Sequence, residues 1–101
     1  MENTGISYTV KDWFANKIAN EVRRNIMMCD VFCILKETDK AIYAVLNCGY
    51  KCRKTTWIPK SVLVANAVGE EAGGIYHHET KRSDSYDEAI EALEIFWNSY
   101  A

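Results

Sequence analysis

Four cysteines are the side chains of this sequence most suited to hold a metal ion or to form a disulfide. They form two pairs, Cys29 with Cys33 and Cys48 with Cys52, each with three residues between the members. In a strand, Cys29 and Cys33 would share a face but lie about 13 Å apart, too far to bridge. Zinc knuckles more often have two intervening residues, so we expect buried free thiols and no metal. Whether Cys48 and Cys52 pair or bind a metal is left open.

Histidines gather only at His77 and His78, next to Glu79. Adjacent residues of a strand point to opposite faces, so these two are poor co-ligands. The sequence has no Gly-x-Ser-x-Gly elbow, no phosphate-binding loop ending in Lys-Ser/Thr, and no cysteine with an evident histidine partner. We therefore expect a protein that is not an enzyme and that needs no cofactor.

Five carboxylates lie close together near the end of the chain. They are Asp84, Asp87, Glu88, Glu91 and Glu94. Such a cluster is usually a solvated outer face, but it can also attract a basic groove on a partner or mimic a nucleic-acid duplex. We take these five residues as the candidate partner-binding surface.

A second set of residues interleaves cations with aromatic rings, as single-strand-binding barrels do. It consists of Tyr50, Lys51, Arg53, Lys54, Trp57 and Lys60. This set is the alternative candidate, a nucleic-acid-binding surface. The competing interpretation is a hairpin with a solvated outer face and with Trp57 pointing into the core.

Two helices are predicted to flank these candidate residues. Apolar residues recur at helical spacing from about residue 9 to about residue 25, and Thr9 with Asp12 resembles a helix cap. Residues 1–8 are expected to be an irregular lead-in. A second helix is predicted over about residues 85–100, where Ser85 and Glu88 form a capping box.

Residues 27–81 favour strands, because β-branched and aromatic runs alternate with turn residues. Strands are predicted over residues 27–36, 41–46 and 53–58, and a last one over 75–81. Residues 61–68 are compatible with a fourth strand or a short helical turn. The predicted fold is α+β, an antiparallel sheet of three to five strands flanked by an N-terminal and a C-terminal helix.

Length and composition limit the number of domains, the kinds of partner and the location of the protein. With 101 residues, the chain is expected to form a single domain over 1–101. A net charge of −2 provides no overall basic field for nucleic acid, so any such site must be local. The first residues lack the pattern of a signal peptide, and no apolar run is long enough to cross a membrane. We expect a cytoplasmic protein.

One segment resembles a pattern found in small bacteriophage and prophage proteins. Its parts are Glu37-Thr38-Asp39-Lys40-Ala41, then a strand, then Trp57-Ile58-Pro59-Lys60-Ser61. In those proteins a Glu-Thr-x-Lys-Ala turn leads into a strand, and Trp-x-Pro-Lys-Ser closes the next strand. The longer, cysteine-bearing segment between residues 47 and 54 departs from the pattern. The resemblance implies a β-hairpin in which Trp57 is a buried plate.

Phage proteins of this size include inhibitors of host defence such as anti-CRISPR proteins, so the resemblance also implies a function. We expect a non-enzymatic inhibitor that acts in the bacterial host cell, binds a defence nuclease such as a CRISPR-Cas effector, and blocks nucleic-acid access. The alternative is a single-stranded nucleic-acid-binding accessory protein of phage replication or recombination. A homodimer driven by exposed Trp97 and Tyr100 is a third hypothesis.

Overall fold

The computed structural model describes residues 6–23, 29–67, 69–70 and 76–99. Its helices are α1 (Asp12–Val22) and α2 (Tyr86–Ser99), and a 3₁₀ turn covers Lys60–Val62. Its strands are β1 (Ile6–Val10), β2 (Asp30–Glu37), β3 (Ala41–Asn47), β4 (Arg53–Pro59), β5 (Leu63–Ala67), β6 (Gly69–Glu70), β7 (Tyr76–His77) and β8 (Lys81–Arg82).

The main sheet has the order β4-β3-β2-β1-β5, and each of these neighbours is antiparallel. The short strand β8 joins β2 in parallel, and β6 with β7 forms a separate pair. The chain therefore has the α+β fold predicted from its sequence, with one helix before most of the sheet and one after it. Residues 61–68 had two interpretations; of these, residues 61–67 form the end of the 3₁₀ turn and then β5, and residue 68 lies outside the described ranges.

The first strand was missed in the sequence. Residues 6–10, placed partly in a lead-in and partly in a helix, form β1 between β2 and β5. Thr9 is therefore a strand residue that lies opposite Val64, and the helix begins after Lys11, which forms no side-chain cap. The helix ends at Val22, and Arg23, which follows it, has a left-handed φ of 56°. The helix was predicted to begin near residue 9 because the buried side chain of Val10 also fits the helical spacing.

The two helices cover opposite faces of the sheet. On one face, Phe14 and Ile18 of α1 pack against a cluster that includes Ile42, Leu46 and Ile58. On the other face, α2 packs against β2 and β3 through a second buried cluster. This second cluster consists of Phe32, Cys33, Val45, Ala89, Leu93 and Trp97. Since β3 is buried on both faces, its near-continuous apolar sequence is explained.

An irregularity in β2 changes the face of one cysteine. The register with β3 shifts between Val31 and Cys33, as at a β-bulge. Phe32 and Cys33 consequently both belong to the α2 cluster, whereas Cys29 belongs to the α1 cluster. The prediction that Cys29 and Cys33 share a face was wrong, because a bulge interrupts the alternation on which it relied.

Thr80 joins the middle strands just before β8. Its buried hydroxyl donates to the Val31 carbonyl at 3.0 Å and accepts from the Tyr8 amide at 2.8 Å. The Thr80 amide donates to the Ile6 carbonyl at 3.0 Å. One residue thus satisfies backbone groups of β1 and β2 where these strands have separated.

Candidate functional site

The helix α2 is held so that one side faces solvent. The Glu88 amide donates to the Ser85 hydroxyl at 3.3 Å, which confirms the predicted cap at this end. Asp87 and Glu88 lie in the first turn, where negative charge is favoured by the helix dipole. Ala89 and Leu93 are buried beneath the helix, so the side opposite to them is fixed outward.

All five carboxylates of the predicted acidic surface are exposed. On a helix of 3.6 residues per turn, Asp87, Glu91 and Glu94 form one stripe directed away from the sheet. Glu88 lies beside this stripe, and Asp84 lies in the bend before the helix. No described Lys or Arg forms an ion pair with any of the five. We call these five residues the acidic helix surface.

One apolar residue on this surface was not singled out from the sequence. Ile95 is 60% exposed, and it follows Glu91 by four residues and Glu88 by seven. At this spacing it lies next to both carboxylates on the outside of α2. A helical projection of residues 86–99 would have revealed it, because Ile95 is on the side opposite Leu93. The acidic helix surface therefore contains an exposed apolar side chain.

The predicted nucleic-acid-binding residues are not all free to bind a ligand. Lys54 pairs with Glu21 of α1 at 3.4 Å, and Lys60 pairs with Glu37 at 2.7 Å. Both lysine side chains are about one third exposed, at 36% and 35%. Sequence spacing could not reveal these pairs, because each joins residues that are distant in the chain.

The remaining residues of this set lie at the β3–β4 end of the sheet. Trp57 is 47% exposed, and its ring packs on Tyr43 with centroids 5.3 Å apart. The prediction of a buried plate was therefore wrong for Trp57, because it lies on β4, an edge strand of the sheet, where nearly half of its surface stays open to solvent. Arg53 is also exposed, and the alternation of strand side chains places it on the same face as Trp57.

Tyr50 and Lys51 lie in the turn between β3 and β4. Tyr50 is 46% exposed and nearly parallel to the Trp97 ring, with centroids 6.4 Å apart and an interplanar angle of 9°. The Lys51 ammonium lies 5.5 Å from the centre of the Tyr50 ring. Trp97 itself is buried and donates from Nε1 to the Asn47 Oδ1 at 3.0 Å. The expectation that Trp97 is exposed was wrong, and Tyr100 lies outside the described residues.

The two predicted surfaces meet at one groove. Lys51 and Arg53 line it from the hairpin, and Glu94, Trp97 and Asn98 line it from α2. Its volume is about 370 Å³. Cations and a carboxylate therefore line the same depression, so its charge is mixed.

The residues that carry the phage resemblance form a structural unit. Glu37 accepts from Lys60 Nζ and from Arg82 Nη1, each at 2.7 Å. These bonds, first that of Lys60 and then that of Arg82, lower the pKa of Glu37 to about 2. In the turn, the Thr38 hydroxyl accepts from the Ala41 amide at 3.1 Å. The turn and the end of β4 are thus joined by an ion pair, which gives the pattern a role in folding.

Three of the four cysteines lie together at one end of the sheet. Cys29, Cys48 and Cys52 are buried in the α1 cluster, and all four cysteines are free thiols. Hydrogen bonding with Cys48 and burial both raise the pKa of Cys29 far above its usual value. Within the described ranges, no three His, Cys, Asp or Glu side chains are arranged to hold a metal ion.

The histidine pair is only partly described. His78 is exposed and contacts Phe96 edge to face, with centroids 4.9 Å apart. The backbone of His77 belongs to β7, and its side chain lies outside the described part. His78 therefore contributes an aromatic contact to α2.

No protein-family model matches the chain, and neither the search of curated proteins nor that of solved structures gives a match. In the described part of the chain, no helix has the length and apolar character required to cross a membrane.

Proposed function

We propose that this chain is a non-enzymatic inhibitor that uses the acidic helix surface to bind a basic, nucleic-acid-binding surface of another protein. The observation that supports this proposal is the stripe of Asp87, Glu91 and Glu94. These carboxylates are exposed on one side of α2, and no described cation pairs with them. Complementary charge of this kind accelerates association with a basic partner and selects against other partners.

The proposed target is a bacterial defence nuclease, and a CRISPR-Cas effector fits best. A nuclease channel carries Lys and Arg to neutralise phosphates, so an acidic helix competes for the same cations. The resemblance of residues 37–61 to small phage proteins supports a phage origin and, with it, action in the bacterial host cell. Ile95 gives the surface an apolar contact that a phosphate backbone does not have.

The proposal is tested by measuring DNA cleavage by a panel of purified effectors with and without this protein. We expect inhibition of at least one effector and its recovery in a pull-down. Glu91→Lys should weaken inhibition about tenfold, which corresponds to ~1.4 kcal/mol of binding free energy. Asp39→Lys is the matched control, because it makes the same charge change at an exposed turn residue outside the acidic helix surface.

Two results would contradict this function. One is a panel in which no effector is inhibited or captured. The other is an equal loss of inhibition in the Glu91 and Asp39 variants, since overall charge would then explain the effect and the acidic helix surface would not.

A second candidate function, binding of single-stranded nucleic acid, is favoured by the exposure of both Trp57 and Arg53 on one face of β4. An exposed ring can stack on a base, and the arginine can contact a phosphate. Of the four predicted cations, Lys51 and Arg53 form no ion pair with a described residue. Two phosphate contacts predict a salt slope of about −1.4 in log K against log salt.

Fluorescence anisotropy with a labelled oligonucleotide tests this second function. Binding that weakens at this slope, and that is lost in Arg53→Glu, would support it. A protein that leaves the oligonucleotide unbound at low salt would exclude it without affecting the inhibitor proposal.

A further inference from the structure

We propose that two copies of this chain associate through β4, paired antiparallel about Thr55, so that one continuous sheet crosses the two-fold axis. This inference does not depend on the proposed function. Its starting point is that β4 lies at the edge of the sheet and pairs only with β3 among the described strands.

The hydrogen bonds at the two ends of the β3–β4 hairpin establish which backbone groups face outward. The Cys48 amide donates to the Cys52 carbonyl at 2.9 Å, and the Lys60 amide donates to the Lys40 carbonyl at 2.8 Å. The register between these ends is continuous. Because antiparallel pairs alternate between bonded and non-bonded, the even-numbered residues of β4 bond to β3. Its odd-numbered residues therefore direct their amides and carbonyls away from the sheet.

The outward groups belong to Arg53, Thr55 and Trp57, which form a regular stretch without a bulge. Pro59 is the next outward position, and there its missing amide costs no bond to β3. The same three residues also direct their side chains to the α2 face of the sheet. A strand added at this edge would thus meet three residues with both backbone groups available and then a proline that ends the pairing.

A second copy of β4 fits this edge when Thr55 lies opposite Thr55. Arg53 of each copy then lies opposite Trp57 of the other, where a guanidinium can pack on the indole ring. The indole already contacts Tyr43 within its own chain, and it remains 47% exposed. Lys54 lies opposite Thr56, and Lys51 opposite Pro59. In this register no cation faces a cation.

Neighbouring registers are less favourable. If the centre of the pairing moves from Thr55 one residue towards the amino end, Lys54 lies opposite Lys54. If it moves two residues, Arg53 lies opposite Arg53. A shift in the other direction places Pro59, which has no amide, in a bonding position opposite Arg53 or Thr55. Charge and hydrogen bonding therefore select the pairing about Thr55.

The pairing has a geometric consequence for the acidic helix surface. The two-fold axis of an antiparallel strand pair is perpendicular to the sheet, so both copies of α2 lie on the same side. A dimer would present two acidic helices in one direction. The contact consists of one short strand from each copy, so it buries less area than a standard interface of about 1,600 Å². We therefore expect micromolar affinity.

Sedimentation velocity over a concentration range of about 1 to 200 µM tests the inference. We expect a monomer–dimer equilibrium for the native sequence and a monomer for Thr55→Pro. That substitution removes an amide that points away from β3. The matched control is Ala65→Pro in β5, the other edge strand. The Lys11 amide donates to the Val62 carbonyl, so odd-numbered residues of β5 also face outward, and this variant should dimerise normally.

Two further variants keep the test decisive if Thr55→Pro does not fold. Arg53→Glu replaces the cation next to Trp57 of the other copy at both symmetric contacts, and it should weaken dimerisation about tenfold. Thr55→Cys should form an intermolecular disulfide much faster than Ala65→Cys, because bonded pairs have Cα atoms about 5.5 Å apart. A native protein that stays monomeric would overturn the inference. Equal dimerisation of all these variants would do so as well.

Discussion

Glu37→Gln is the substitution that most directly tests the ion pairs of the hairpin. Glu37 ends β2, and its two carboxylate oxygens accept from Lys60 and Arg82 at 2.7 Å each. A glutamine keeps the shape of the side chain but removes its charge. The substitution therefore isolates the electrostatic part of these contacts.

The expected loss of stability depends on the solvent exposure of the paired side chains as much as on the distances between them. The side chains of Glu37, Lys60 and Arg82 are 38%, 35% and 51% exposed, so solvent screens both pairs. Exposed ion pairs contribute about 0.2–1 kcal/mol each, and the shared carboxylate makes this a small network. We expect Glu37→Gln to reduce the free energy of unfolding by about 1 kcal/mol, or the melting temperature by roughly 4–8 °C.

The pH dependence gives the sharper measurement. The pKa of Glu37 in the folded protein is lowered to about 2 from an ordinary value of 4.5. A lowered pKa stabilises the fold above the unfolded value, and this stabilisation is lost as the pH falls towards the folded value. In urea titrations, the free energies of unfolding of the native protein and the Glu37→Gln variant should therefore differ by the full amount above about pH 5. The difference should shrink between pH 4.5 and pH 2.

The control is Asp39→Asn, since Asp39 is an exposed acid of the same turn and forms no ion pair with a described residue. This variant should change stability by less than about 0.5 kcal/mol. If the Glu37 difference persists unchanged to pH 2, the ionised carboxylate is not its source. In that case, ion pairs of Glu37 do not stabilise the hairpin.

Three further outcomes are expected. Trp97→Ala should cost about 3–5 kcal/mol in chemical denaturation because Trp97 is buried, whereas Trp57→Ala should cost roughly 1 kcal/mol because its ring is half exposed; equal losses would contradict the placement of α2. Thr80→Val should reduce the free energy of unfolding by about 1–3 kcal/mol in urea titrations, since two backbone groups lose their bonds to the hydroxyl; a neutral variant would argue against this bridge. The thiol of Cys29, buried and with a raised pKa, should react with a thiol reagent only on unfolding; rapid reaction of native protein near neutral pH would contradict its burial.

The sequence supports most of the fold, because the main elements have strong local patterns. The apolar stripe of α2 and the cap at Ser85 predict both ends of that helix to within one residue. The strands β3 and β4 follow from β-branched runs between clear turns. The strand β1 could not be found this way. Its five residues gain their partners from β2 and β5, which are distant in sequence, so the position is decided by tertiary pairing.

In the candidate surfaces, too, local patterns predict some features, whereas tertiary contacts decide others. The exposure of the acidic residues follows from helical spacing, since Leu93 and Ala89 determine which side is buried. The pairing of Lys54 with Glu21 depends on how α1 crosses the hairpin, and no local pattern contains that information. The resemblance of residues 37–61 implies a buried Trp57, whereas the structure exposes it on an edge strand. The coverage of an edge strand depends on where the opposing helix ends.

The position of β1 has a consequence for the order in which the chain folds. Its register joins Ile6 to Ala67, and Tyr8 bonds to Thr80, which is 72 residues further along the chain. By contrast, β2, β3 and β4 are connected through short turns and pair with their neighbours in sequence. Since closing long loops is slow, we expect this three-stranded meander to form early and β1 to enter the sheet late. During synthesis, β1 would then be made before β2, β3 and β4 but become ordered after them.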